Sequence, residues 1–372
     1  LFHQKKNAIP MTRPYSNALT ELSILAQKMP HMMADTDIAT LNAIHEKSVT
    51  NLENPTSLFT YTLTKAIRKH FVQDTAQEHI YLQRFEIPQI RLFELLIQQF
   101  PLANLSQHCT NTLLIDALSQ HTHPVLMDIG IGTGFQVMNI IEGLSKRTDS
   151  QIQHLTIVGI EPFADAVDTA QQNINRVAKN ADFEVSLVTH VAFIEALSLD
   201  ELRQMLPKQY NGLYVNASFA LHHIQQHSQR KRVFENLKAI KTNALALSEP
   251  NSNHYEPNYA QRFQNCVNHY GALFRIIDTL SITDTEKAAL KLFFSREIDD
   301  VLGHSEEVRV EKHYSTNQWE ELLTETGFQL QKRLAAFEYT QLNGTHLQTD
   351  LPNRYATVFE NEEITSLFWA VL

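Results

Sequence analysis

The stretch VLMDIGIGTGFQVMN, residues 125–139, holds three of the ten glycines in a chain of 372 residues. A short apolar run, a cluster of glycines and a helical pattern follow one another there. That order, strand then tight turn then helix, is the building unit of an α/β sheet. Glycine lets the chain turn sharply behind the strand and lets a ligand lie against bare backbone. Two phosphate cradles do not fit. The dinucleotide fingerprint G-x-G-x-x-G needs glycine where Phe135 stands, and no Lys-Ser/Thr pair follows to make a P-loop. The spacing present is Asp128-x-Gly130-x-Gly132-x-Gly134.

The rest of the chain sorts around this unit. From about residue 15 to residue 120 the apolar spacing is helical and glycine is absent, as in NALTELSILAQKM, SLFTYTLTKAIRKHFVQ and IRLFELLIQQF. NTLLIDALSQH reads as a further helix, stopped near His123-Pro124. After Pro124 short apolar runs alternate with helical patterns. Strands are expected at 125–129, 155–160, 183–189, 212–218 and 244–250, with helices between them. Such alternation argues a parallel sheet with right-handed crossovers.

A helical interruption follows. In YAQRFQNCVNHYGALFRIIDTL, Phe263, Val267, Tyr270, Phe274 and Ile277 share one face. TDTE, residues 283–286, has the form of a capping box for the next helix. TNQWEELLTETG is a helix starting at Ser315 or Thr316 and ending at Gly327. RYATVFE and ITSLFWAVL flank NEE as a C-terminal antiparallel hairpin.

Composition narrows the function. The formal net charge of −10 argues against nucleic acid, whose phosphates demand clustered Lys and Arg. Cys109 and Cys266 are only two and far apart, which suits core thiols in a reducing, cytoplasmic setting. No run approaches the roughly 20 apolar residues of a membrane span. The opening LFHQKKNAIPMTRP lacks a secretory apolar segment, and Met11 can be the natural start. The 18 histidines show no spacing of a zinc site, so no metal is expected.

D-x-G-x-G-x-G behind a first strand resembles motif I of the class I methyltransferases, which bind S-adenosylmethionine. That resemblance assigns Asp128, Gly130, Gly132 and Gly134 to the cofactor, with Asp128 stabilising its amino group directly or through the loop. Glu161, at the end of the second strand, offers two acceptors for ribose hydroxyls; it can also be a helix N-terminal charge. The run YVNASFALHHI resembles the segment behind the fourth strand of these enzymes. Asn216 would face the methionine moiety, and His222 or His223 the substrate, unless both histidines satisfy backbone at a helix start. His223 is the candidate general base and Glu249 its orienter. Glu249, Asn251 and His254 share the carboxyl end of the fifth strand, where open sheets bind ligands.

The order of several looser motifs resembles a bacterial member of the GRAS family. FPLANLSQHCTNTLLIDAL is similar to its first leucine-rich region, and VLMDIGIGTGFQVMNIIEGL to its VHIID motif. VNASFALHHI resembles the second leucine-rich region. EPNSNHYEPNYAQRFQNCVNHYGALFRIIDTL, with Arg296-Glu297-Ile298, resembles the PFYRE region, and TSLFWAVL the SAW ending. EVRVEKHYSTNQWEELLTETGF looks like its Arg-x-Glu-Arg-His stretch.

The resemblance implies a Rossmann-like, doubly wound, mostly parallel sheet with an α-helical cap. Residues 12–123 would form the N-terminal part of the cap and 124–252 the cofactor-binding core. Residues 253–312 would be a helical insertion joining the cap, and 313–372 the end of the core. Tyr81, His108, Tyr259 and Arg262 are candidate cap contributions to a substrate pocket. Plant members, which lack the glycine-rich loop, are implied to act through binding partners; this chain keeps Asp128 and all three glycines. The expected activity is S-adenosylmethionine-dependent methylation of a small molecule. The alternative is a non-catalytic module that binds a small ligand or a protein partner in the same cleft.

Overall fold

The computed structural model describes residues 17–29, 34–71, 87 and 89–372. Its framework is a sheet whose central strands are β1 (Pro124–Ile129), β2 (His154–Glu161), β3 (Glu184–Val191), β4 (Gly212–Ser218) and β5 (Ala244–Pro250). They are parallel and run in the order β3-β2-β1-β4-β5. Every residue of β1 and β5 is buried, as expected of strands covered on both faces. Strand order reverses between β1 and β4, and in open α/β sheets the carboxyl ends beside such a reversal are where ligands bind.

Helices connect the strands. α5 (Pro101–Leu118) leads into β1, and α6 (Phe135–Ser145) and α7 (Ala164–Ala178) follow β1 and β2. α8 (Leu199–Met205) and α9 (His227–Ala239) precede β4 and β5. On one face of the sheet, Leu105 and Leu114 of α5 pack with Ile140, Leu126, Ile157 and Trp369. On the other face Phe234, Val215 and Phe368 join Trp319 of α12 (Thr316–Glu325).

A second core consists of helices alone. α1 (Asn17–Lys28), α2 (Asp35–Val49), α3 (Pro55–Phe71) and α4 (Gln89–Gln98) pack with α10 (Tyr259–Thr279) and α11 (Asp284–Gly303). Leu22, Leu41, Leu63, Phe263, Ile277 and Leu302 are its buried contacts. The helical insertion after β5 therefore meets the N-terminal helices despite the sheet between them in sequence. Thr283 and Glu286 form the anticipated capping box at the start of α11. Cys109 and Cys266 are both buried and unpaired. No helix among the described residues is long and apolar enough to cross a membrane.

The C-terminal part is larger than a hairpin. β10 (Glu362–Val371) runs antiparallel to β5 and to β9 (Tyr355–Phe359). β8 (Thr345–Gln348), β7 (Gln341–Leu342) and β6 (Gln329–Leu330) extend this antiparallel side. The β9–β10 turn is Glu360-Asn361, with φ of 52° and 68°, so Glu362 and Glu363 already belong to the strand. Asn343-Gly344 makes a second left-handed turn between β7 and β8. That dipeptide is a strong hairpin signal, but its first strand is too short to show alternation.

Candidate functional site

The glycine loop leaves β1 and enters α6. Gly130, Gly132 and Gly134 have φ of +77°, +52° and +78°, a region that L-residues with side chains avoid. The three differ in what surrounds them. A Cβ on Gly130 would stand 2.7 Å from Cβ of Ala220, behind β4. A Cβ on Gly134 would meet Ile174 Cδ1 at 3.0 Å and Ala170 Cα at 3.2 Å, both on α7. A Cβ on Gly132 meets nothing closer than Gly130 O at 4.0 Å. Packing thus accounts for two of the glycines, and the third faces open space.

The loop is tied to β2. Gly130 N–H donates to Ile160 O at 2.8 Å, and Gly132 N–H to Glu161 Oε2 at 3.1 Å. Glu161 Oε1 accepts from Phe163 N–H at 3.3 Å. Burial pushes the Glu161 carboxyl above its ordinary value against these two donors. Each oxygen has a second lone pair, so the carboxylate keeps acceptor capacity. Around it Phe163, Val191 and Phe193 are 67%, 52% and 57% exposed. Ala192 N–H donates to Glu161 O at 3.1 Å, which places this apolar rim at the ends of β2 and β3. Sequence reasoning missed it because three separated apolar residues show no period.

Asp128 and Asn216 are buried beneath the loop, so Asp128 can act on a ligand only through the loop and Asn216 is not open to one. They are 3% and 1% exposed, and Asn216 Nδ2 donates to Asp128 Oδ1 at 2.8 Å across paired strands. Gln136 Nε2 lies 3.4 Å from Asn216 Oδ1 and also donates to Asn111 Oδ1 at 2.9 Å and Thr110 Oγ1 at 3.0 Å. This is a buried polar network beneath the loop. Burial pushes the Asp128 carboxyl up to about 7, the Asn216 bond opposes the shift, and the Glu161 charge adds to it.

A second group gathers behind β4 and β5. Glu249 Oε1 accepts from Ala220 N–H at 3.2 Å and Leu221 N–H at 2.7 Å, while Oε2 meets His222 Nδ1 at 2.6 Å. Glu249 is fully buried and its carboxyl is pushed up to about 7. The pairing expected with His223 is corrected: His223 is exposed, and its Nδ1 is 3.7 Å from Glu311 Oε1. Residues 221–223 form a single 3-10 turn. Successive side chains leave such a turn about 120° apart, and here it is His222 whose ring reaches Glu249 while His223 lies on the Glu311 side.

Glu311 and His313 reach this group from the segment between α11 and α12. His313 Nε2 lies 3.1 Å from Glu311 Oε2, and the His313 ring is 4.8 Å from that of His222. His254 continues the cluster, 4.7 Å from the His313 ring, with its Nε2 on Ser252 Oγ at 2.9 Å. Burial pushes the His222 and His313 imidazoles down to about 3 and His254 well down. Glu311 and His313 were not singled out from the sequence. Their Glu-x-His spacing in an extended segment, which puts both side chains on one side, was the available signal.

The remaining candidates have other work. Asn251 accepts from Thr316 N–H at 2.9 Å and donates to Glu363 O at 3.2 Å, tying β5 to α12 and β10. Arg262 donates to Val301 O and Glu256 O, and Tyr259 OH to Leu302 O, all inside the helical core. Buried donors are spent on backbone carbonyls, so neither side chain projects into a pocket. His108 stacks on Tyr339, with ring centroids 4.0 Å apart. Tyr81 lies outside the described residues.

The sequence profile of the GRAS domain family matches residues 15–371. The crystal structure of SCL7 in Oryza sativa superposes with a TM-score of 0.80 at 15% identity, covering 95% of this chain and 99% of that one. GRAS family protein RAD1 of Medicago truncatula is 22% identical over 245 residues, 64% of this chain and 46% of its own. DELLA protein 2 of the same plant is 23% identical over 269 residues, 70% of this chain and 46% of its own. The chain thus spans somewhat less than half the length of these two relatives.

Proposed function

The chain belongs to the GRAS domain family, and we propose that it acts as a non-catalytic binding module whose crevice takes an adenosine-bearing ligand, S-adenosylmethionine being the candidate. One observation carries this reading: Gly132 is left-handed and faces open space, whereas Gly130 and Gly134 are accounted for by packing. The left-handed turn already calls for glycine at that position, and the open space beside it is what leaves room for a ligand. Glu161 would take the ribose hydroxyls with its remaining lone pairs, and Phe163, Val191 and Phe193 would wall the purine. The Rossmann-like sheet positions these groups, and the helical core above it forms a cap that can present a protein-binding face.

Calorimetric titration with S-adenosylmethionine and S-adenosylhomocysteine tests the proposal. Gly132→Asn is the variant of choice, because Asn tolerates a left-handed backbone yet fills the space. Binding by the wild type and a loss of at least tenfold in the variant is the expected pair of results. Absence of binding in the wild type, or equal binding in both, removes the adenosyl ligand.

A second reading, methyl transfer to a small molecule, draws on the buried His222–Glu249 pair. A carboxylate on one imidazole nitrogen orients the other as a base. Release of S-adenosylhomocysteine that requires both a small-molecule acceptor and His222 would favour it over the non-catalytic reading.

A further inference from the structure

The histidine and carboxylate cluster behind β4 and β5 asks for its own explanation. Stacked neutral imidazoles can be ordinary core packing. Here, however, one ligand atom each from His222, His313 and Glu311 lies within 4.8 Å of the other two. His222 and His313 are 7% and 1% exposed. Nδ1 of His313 is buried with no hydrogen-bond partner. His222 is oriented from behind: Glu249 takes its Nδ1 at 2.6 Å, which leaves Nε2 as the bare nitrogen. Glu249 is itself held by two backbone N–H groups. A carboxylate behind a histidine, fixing tautomer and ring, is the usual support of a metal-ligating imidazole.

We propose that His222, His313 and Glu311 hold a divalent transition-metal ion, with Glu249 as the group that positions His222. Two imidazoles and a carboxylate suit zinc, cobalt or ferrous iron better than magnesium or calcium, which prefer all-oxygen shells. Ligand separations around such an ion are about 3–4 Å, so closure from the present spacing takes a side-chain shift of about 1 Å. Charge permits it. Glu249 and Glu311 place two carboxyl groups near the Arg230 guanidinium, which donates to His222 O at 2.8 Å and Lys312 O at 2.7 Å. Lys312 points its ammonium at Glu306, 2.8 Å away. Glu311 is mostly buried, with 14% of its side chain exposed, and the exposed His223 beside it marks the side on which the remaining coordination positions meet solvent. The ion would stand beside the glycine loop, because Ala220, two residues before His222, is the residue that packs on Gly130. The proposal does not depend on any ligand at Gly132.

Cobalt(II) titration of the chelator-treated full chain, followed by visible absorption, tests it. The wild type should bind one equivalent with the intense bands of a four- or five-coordinate site. His313→Ala should abolish those bands, and Glu311→Gln, on the rim where folding is less at stake, should weaken binding at least tenfold. Glu249→Gln should keep the bands and lower affinity 10–100-fold, as loss of a supporting partner does. X-ray absorption on the wild type should report two imidazoles. The chain has 18 histidines, so adventitious binding is the competing outcome. Bands that are absent from the wild type, or unchanged in both His313→Ala and Glu311→Gln, overturn the proposal without touching the adenosyl titration.

Discussion

At the carboxyl ends of β1 and β2 the crevice is made of backbone. Three left-handed glycines, one strand-end carboxylate and their hydrogen bonds come from the 34 residues from Asp128 to Glu161. At the ends of β4 and β5 it is made of side chains. His222, Glu249, Glu311 and His313 come from three separate segments and meet only in the fold. The first kind of site is specified by local conformation and tolerates few residue types at each position. The second is specified by distant packing and can be lost by moving one segment. The difference predicts how each end fails.

The largest effect should come from breaking the side-chain end. Glu249→Ala leaves two backbone N–H groups and His222 Nδ1 without their acceptor in a buried place. Unfolding free energy should fall by about 2–5 kcal/mol, since each buried donor left without its acceptor costs about 1–3 kcal/mol. Denaturant titration checks this. A loss under about 1 kcal/mol, the level of an exposed ion pair, would show that the cluster is loosely held.

At the backbone end, Gly134→Ala should cost about 2–3 kcal/mol. A left-handed non-glycine residue costs about 1–2 kcal/mol, and crowding against Ile174 and Ala170 adds strain. Gly132→Asn should cost less than half of that while weakening ligand binding at least tenfold. Equal destabilisation by both would mean that Gly132 too is a packing glycine.

Asp128→Asn should give a smaller change than Gly134→Ala, and one of the opposite sign. Burial raises the Asp128 carboxyl from its ordinary value of 3.8 to about 7 in the fold, so the native state binds the extra proton between those values. Wild-type stability from this group is therefore full below about pH 4 and declines as pH rises toward 7. The variant should be more stable than wild type by about 1–2 kcal/mol at pH 7.5, less than full conversion of the shift because the Asn216 bond loses its charged acceptor. The gain should vanish near pH 4. A pH-independent difference would place the ionisation elsewhere.

How much was legible follows from range. The strand, glycine turn and helix at 124–145 and the capping box at Thr283 depend on neighbours within a few residues, and each is where periodicity and turn chemistry put it. The central strands shift by at most two residues from their expected bounds. β7 was hidden because two residues carry no alternation. The choice of His222 over His223 was hidden because it depends on the rotation of a 3-10 turn. Arg262 and Tyr259 look like pocket residues in a sequence, and only the position of α11 shows that their donors are spent on its last carbonyls.

The sequence by itself determined the left-handed turn behind β1, because only glycine occupies three such positions in five residues without strain. It also determined the parallel strand rhythm and the helical face of α10, since both follow from local periodicity. The tertiary structure decided which glycine looks into open space, which histidine meets Glu249, and that Glu311 and His313 arrive beside them. Those outcomes depend on distances between segments tens of residues apart, and no local preference encodes a distance of that kind.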